Sequence, residues 1–346
     1  MGLAAVAWTG IALFAAVAGA LWKAAVKAQT PRRVPNTEKP PVPFEEVEWK
    51  SGGAVIRGWW MPQGAGAADR PAVVVAHGWG SNRTRMLRYA VPLHAAGYSV
   101  LVYDARGHGE SGAIKAPNGL QFRDDLISAL EWLRRQPGVD GGRIGVLGHS
   151  LGGFAGVLAL EVHAPIAALV TDAMPVRLAT MVEAELRRRK LPKHPLKWLI
   201  MRIFALRTRI PWETIRRADP VRVLAENRAG RKVPTLHVHS VRDGFIPHAE
   251  LLHILDGVPD AAHLLVDTEG HSSSDQDPRF WPTVLAFFRE HLGETGVPPA
   301  PSSGRWQTPS TGQLQVSSTG RLQVTSPGRL HEPSPERPAG LPSERS

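Results

Sequence analysis

The chain has 346 residues, 43% of them hydrophobic and 21% charged, which is enough to bury a large core. It contains no cysteine, so disulfides, thiolate metal sites and cysteine nucleophiles are excluded. The formal net charge of +10 fits a basic solvated surface as well as contact with nucleic acid or anionic lipid, and by itself selects none of them.

Residues 1–22 come first. From Gly2 to Trp22 the chain is uncharged and mostly apolar. As a helix this stretch spans roughly 31 Å, about one bilayer core. Trp8 and Trp22 suit the interfaces, and Lys23, Lys27, Arg32 and Arg33 follow directly. The expectation is a single-pass transmembrane anchor with the main domain on the cytoplasmic side. The alternative is a signal peptide cleaved near Ala18-Gly19-Ala20, leaving an extracytoplasmic or secreted protein, although no basic region precedes it. Residues 23–43 form a linker, with five prolines between Thr30 and Pro43 opposing helix and sheet alike.

Residues 44–293 are expected to fold as one α/β domain. A hairpin is predicted over 45–50 and 54–61. Short apolar runs at 72–76, 99–103, 144–148, 167–171, 235–240 and 262–266 read as strands buried on both faces. Helical patterns at 84–96, 119–135, 151–161, 249–255 and 280–292 alternate with them. That alternation predicts a mostly parallel eight-stranded sheet with helices on both faces. Sites in such sheets form at the carboxyl ends of the strands.

Gly148-His149-Ser150-Leu151-Gly152 fits G-x-S-x-G between a strand and a helix, the context in which a serine is raised on a sharp turn as nucleophile. A serine hydroxyl needs a base oriented by a third group. His271 and Asp243, each in a loop after a late strand, are the expected base and acid, in the chain order Ser, acid, His. Asp172 is the main rival acid, with Asp267 and Glu269 weaker ones. His149 adjoins Ser150 but should point away from it, and His237, His239 and His263 read as structural. The oxyanion donors are expected to be the backbone N–H of Leu151, after the nucleophile, and of Trp79, in the loop His77-Gly78-Trp79-Gly80-Ser81.

The stretch between residues 171 and 235 exceeds a simple connection. A lid is expected at about 174–232, with helices over 181–190 and 196–206. Arg187, Arg188, Arg189, Lys190, Lys193, Lys197, Arg202, Arg207 and Arg209 alternate there with large apolar residues, so this segment is a candidate second membrane contact. Its apolar residues serve equally to line an acyl pocket. Residues 294–346 carry glycines every eight residues, at Gly304, Gly312, Gly320 and Gly328, in a Ser/Pro/Thr/Arg-rich context that reads as a disordered tail.

With the serine turn, His77-Gly78, Asp104-Ala105-Arg106-Gly107-His108-Gly109-Glu110-Ser111 and the Asp243 loop followed by Ile246-Pro247, the chain resembles the α/β-hydrolase superfamily over about residues 44–292. The resemblance implies the α/β-hydrolase fold, a Ser-Asp-His triad and no cofactor. It leaves the substrate open. The favoured reading is a serine hydrolase acting on small-molecule or lipid carboxylic esters. Serine aminopeptidases and acyl-thioesterases share the motifs, and Glu183, Glu185 and Glu213 are candidates to hold a substrate amine. A catalytically silent binding protein is the non-enzymatic alternative. Metal spacing, nucleotide fingerprints and nucleic-acid reader motifs are not found in the sequence.

Overall fold

The computed structural model describes residues 2–64 and 69–295. It begins with helix α1 (Gly2–Ala28), in which the apolar run continues through Lys23–Lys27. The helix therefore exceeds the expected boundary at residue 22. Its last turns are alanine-rich and favour helix, and the first proline comes only at Pro31. Among the described residues α1 is the one helix long and apolar enough to cross a membrane, over Val6–Lys27.

All eight predicted strands are present: β1 (Glu45–Ser51), β2 (Ala54–Met61), β3 (Arg70–Ala76), β4 (Ser99–Asp104), β5 (Val139–His149), β6 (Ala168–Asp172), β7 (Thr235–Arg242) and β8 (Ala262–Glu269). They form one sheet in the order β1-β2-β4-β3-β5-β6-β7-β8. β2 runs antiparallel to both of its neighbours, and every pair from β4 to β8 is parallel. β4 and β6 are buried along their whole length, and β3 and β5 over Pro71–Ala76 and Ile144–His149. β8 departs from the expectation of burial on both faces. It is the edge strand, and only Val266 along it is fully buried.

Helices cover both faces. α2 (Leu87–Ala95), preceded by a 3-10 turn at Thr84–Met86, and α10 (Phe280–Leu292) pack on one side, around Tyr89, Phe280 and Phe288. α3 (Gly119–Leu133), α4 (Leu151–Glu161) and α9 (Ala249–Gly257) pack on the other, around Phe122, Leu158 and Leu251. Between β6 and β7 the chain inserts four helices: α5 (Leu178–Arg188), α6 (Leu196–Thr208), α7 (Trp212–Arg217) and α8 (Pro220–Ala229). α7 and α8 go beyond the two helices expected there. α8 starts where the Asp219 side chain accepts from Val221 N–H and Pro220 occupies the first turn.

Residues 31–44 contain no helix or strand, yet they are held against the domain. Asn36 donates to the Asp104 carboxylate, and Asn82 donates to the Val34 and Pro35 carbonyls. The repeats expected over 294–346 lie, from residue 296 onward, outside the described residues.

Candidate active site

β5 delivers Ser150 at its carboxyl end, and α4 starts with the next residue. Ser150 has φ +53° and ψ −119°, a conformation that costs a non-glycine residue on the order of 1–3 kcal/mol. The surroundings hold it there. Its N–H donates to the Asp172 carbonyl at 2.8 Å, and its own carbonyl accepts from Gly153 and Phe154 N–H. The flanking glycines are demanded by contact. A Cβ at Gly148 would lie 2.5 Å from the Gly152 backbone, and one at Gly152 would lie 2.2 Å from the Ala76 carbonyl oxygen.

Three side chains from distant parts of the sequence meet at this rim. Ser150 Oγ is 2.9 Å from His271 Nε2, and His271 Nδ1 is 2.7 Å from Asp243 Oδ2. The other Asp243 oxygen accepts from Phe245 N–H at 2.8 Å and Ile246 N–H at 2.9 Å. Burial pushes the Asp243 carboxyl up, but the His271 contact and these two amides outweigh it and hold it below the usual carboxylate range. An ionised Asp243 accepts a hydrogen bond from His271 Nδ1–H, which leaves the Nε2 lone pair facing the Ser150 hydroxyl. The Asp243 and His271 loops are also joined through Gly270 N–H to the Arg242 carbonyl.

The Trp79 peptide sits beside the nucleophile. A Cβ added at Gly78 would lie 2.8 Å from Ser150 Cβ, so only glycine lets the backbone approach this closely. His77 fixes the orientation of that peptide. Its Nδ1 bonds the Gly78 carbonyl at 2.7 Å, and its Nε2 accepts from Ala105 N–H at 2.9 Å. One nitrogen donates while the other accepts, so the ring is neutral; burial lowers its pKa in the same sense. In a trans peptide the N–H lies opposite the C=O, so holding the Gly78 carbonyl aims the Trp79 N–H the other way. Leu151, the other expected donor, opens α4 and is buried.

Sequence reasoning missed the network behind the site. The His149 ring packs 5.0 Å from the His271 ring, centroid to centroid. Its Nε2 bonds Ser272 Oγ at 3.2 Å, and its Nδ1 lies 3.3 Å from Asp172 Oδ2 without forming a hydrogen bond. Tyr89 donates to the same Asp172 oxygen. Arg88 donates to Tyr89 and to the Ser272 carbonyl, and pairs with Asp275 at 3.4 Å. Burial lowers His149 to about 4, so it stays neutral. Burial would raise Asp172, but the imidazole, Arg88 and the Tyr89 hydroxyl together hold it well below the carboxylate range. The rival acid is thus committed to His149 and Tyr89, and the network braces the loop that carries His271. A hint was available in sequence: a polar His149 and Asp172 at the inner ends of adjacent buried strands need partners.

Among the described residues no group of three or more His, Asp or Glu has the arrangement of a metal site. A surface depression lined by Pro259, His263 and Phe287 lies at the amino ends of β7 and β8, whereas Ser150 lies at the carboxyl end of β5.

The fold and these motifs match known proteins. A family model described as serine aminopeptidase, S33, matches residues 67–209. A solved esterase of Pyrococcus furiosus, Pf2001, superposes with a TM-score of 0.61 over 76% of this chain and 98% of its own, at 22% identity. The chain has the α/β-hydrolase fold. The fold is shared equally with an acylaminoacyl peptidase of Pyrococcus horikoshii, at 21% identity and a TM-score of 0.55 over 73% of this chain and 42% of that one. Among curated proteins, an uncharacterized Mycobacterium tuberculosis protein is 40% identical over 118 residues, 34% of this chain and 41% of the relative. An uncharacterized Bacillus subtilis protein, YqkD, is 30% identical over 186 residues, 52% of this chain and 57% of its own. The thiohydrolase apmlB of Arthrinium phaeospermum is 33% identical over 152 residues, 42% and 48% of the respective chains. The chain therefore spans about half the length of the curated relatives it matches.

Proposed function

We propose that this chain is a serine hydrolase that cleaves carboxylic esters through an acyl-enzyme on Ser150. The observation that carries the reading is the relay of two short hydrogen bonds, 2.9 Å from Ser150 to His271 and 2.7 Å from His271 to Asp243. In this reading His271 Nε2 removes the Ser150 proton as Oγ attacks the ester carbonyl. Asp243 holds the tautomer and stabilises the imidazolium. The oxyanion is met by the N–H groups of Trp79 and Leu151, with the amino end of α4 behind them. His271 then returns the proton to the leaving alcohol, and water repeats the sequence to release the acid. The four-helix insertion acts as the lid, its first helix tied to the Asp243 loop by Arg187, which donates to the Gly244 and Phe245 carbonyls. α1 acts as the membrane anchor, with the domain on the cytoplasmic side.

Esters are favoured over peptides by the state of the three insertion carboxylates. An aminopeptidase needs acids free to hold the substrate amine. Glu183 is paired with Lys193 and Lys197, Glu185 with Arg188 and Arg189, and Glu213 with Arg216 and Arg217. The likeness to a thiohydrolase supports including acyl thioesters in the substrate panel.

The test compares chromogenic esters, acyl thioesters and aminoacyl amides on the full chain, with fluorophosphonate labelling of native protein and Ser150→Ala. Expected are ester turnover and labelling that both vanish in the variant, with kcat falling by roughly 10⁴-fold or more. Amide cleavage well above ester cleavage would replace the esterase reading by peptidase. Absence of both turnover and labelling would leave a silent binding protein.

A further inference from the structure

The second helix of the insertion is long and apolar yet buries no residue, a property it shares only with the short, polar α7 among the domain's described helices. α6 reads Leu196-Lys197-Trp198-Leu199-Ile200-Met201-Arg202-Ile203-Phe204-Ala205-Leu206-Arg207-Thr208, and none of its residues is buried. Trp198 is 60% exposed and Leu206 66%. A helix apolar around most of its circumference is ordinarily buried in a core or in lipid. Around α6, residues 186–209 carry nine Lys and Arg and no Asp or Glu. Lys193 and Lys197 are paired with Glu183, but Lys190, Arg202, Arg207 and Arg209 have no carboxylate partner among the described residues. Arg202 lies 5.0 Å from the Trp198 ring and 5.5 Å from the Trp212 ring, one cation between two exposed indoles.

The position of α6 relative to α1 singles out its occupant. α1 packs against α6. At their junction Arg207 in the last turn of α6 donates to the Gln29 side chain at 2.6 Å. The candidate span ends at Lys27, two residues earlier, which is roughly 3 Å along a helix axis. A span ending at Lys27 therefore sets the carboxyl end of α6 at head-group depth.

We infer that α6, with Trp198, Leu206 and Trp212 and the cations between them, docks into the head-group layer of an anionic lipid bilayer beside the point where α1 leaves it. The apolar side chains enter the acyl boundary, while Arg202, Arg207 and Arg209 meet lipid phosphates, the arrangement of an interfacial amphipathic segment. A second copy of the chain is disfavoured as occupant because it would bring two like-charged faces together. The inference deepens the membrane reading of α1 and rests on it; it does not rest on the ester chemistry.

The absence of native cysteine permits site-specific labels. Full-length chains carrying an environment-sensitive fluorophore at Leu206→Cys, at Trp8→Cys in α1, or at Glu290→Cys on the exposed side of α10 are reconstituted in vesicles. The vesicles are phosphatidylcholine alone or mixed with phosphatidylglycerol, with spin-labelled lipid as quencher, and thermal melting followed by circular dichroism checks each variant's fold. The expected result is quenching at position 8 in both lipids, at 206 in the anionic vesicles, and at 290 in neither. Each basic residue near an anionic surface contributes about a five-fold factor, so Arg202→Gln with Arg209→Gln should lower the docked-to-free ratio at 206 roughly 25-fold. High salt should act in the same direction. Quenching at 8 without quenching at 206 overturns the docking and leaves the anchor standing. Quenching at neither overturns both. Equal quenching at 206 in the two lipids overturns the anionic surface, and lipid-independent, concentration-dependent shielding at 206 assigns the face to a second copy.

Discussion

Two aspartates, Asp172 and Asp243, stand at the carboxyl ends of the neighbouring strands β6 and β7, and each contacts a histidine. Strand position alone does not separate them, because the distinction lies in side-chain direction. Asp243 reaches His271 Nδ1, whereas Asp172 reaches Tyr89 and His149. Their replacements should separate what the sequence could not. Asp243→Asn should lower kcat by roughly 10⁴-fold, since the amide favours the wrong histidine tautomer. Asp172→Asn keeps the relay and should cost at least a hundred-fold less, as kinetics on a short ester would read. His77 offers a second residue-scale test. His77→Phe preserves the packing against Phe122 and Tyr103 but removes the side-chain bond to the Gly78 carbonyl, leaving only the longer one from Ser81 N–H at 3.3 Å. A peptide no longer aimed at the oxyanion should lower kcat roughly 10- to 100-fold with little change in KM, a fraction of the loss of one donor. An unchanged kcat would show that His77 is not what aims the Trp79 N–H.

At the scale of elements, the strands were readable because each is a short apolar run closed by a turn, and Ser150, His271 and Asp243 were readable because each follows such a run. β8 was misjudged for burial because the order of strands in a sheet is a long-range property. Its Ala262-His263-Leu264-Leu265-Val266 run resembles a central strand, yet it has a neighbour on one side only. The insertion was harder, since its helices are held by partners far away in sequence. Glu250 shows how. This fully buried carboxylate on α9 accepts from Val176 and Arg177 N–H, from the Arg177 side chain and from Thr180, and so starts α5. Glu250→Ala leaves these donors unsatisfied, at a cost on the order of 1–3 kcal/mol. Opening of the insertion should then rise by a factor of roughly 5–160. Limited trypsin digestion should show faster cutting within residues 187–193, while fluorophosphonate labelling of Ser150 persists. Unaltered digestion would mean that the insertion is anchored elsewhere.

For the whole molecule, acid stability follows from the buried imidazoles. Burial lowers His149 and His237 to about 4 and His108 to about 3, against an ordinary 6.5. Between pH 6.5 and 4 the unfolded chain therefore binds protons that the folded chain refuses, and stability falls as pH falls. Each group contributes on the order of 1 kcal/mol per pH unit in that window. Urea midpoints should drop steadily from pH 7 to pH 5, and His237→Asn should flatten the slope; a pH-independent midpoint would show that these rings ionise freely in the folded state.

The segment after α1 shapes how the protein explores its surroundings. A free coil of fourteen residues has a root-mean-square reach of about 20 Å, letting a domain wander over its attachment point. Here Asn36, Val34 and Glu38 are stitched to Asp104, Asn82 and Thr84, and the buried Arg83 clamps Asp104 from beneath. The stem is a bracket and not a leash. Under the proposed anchoring by α1, a face mounted on a bracket would keep one heading, so it would sample a thin annulus around its own mooring, and its encounters would become a two-dimensional search set by lateral diffusion.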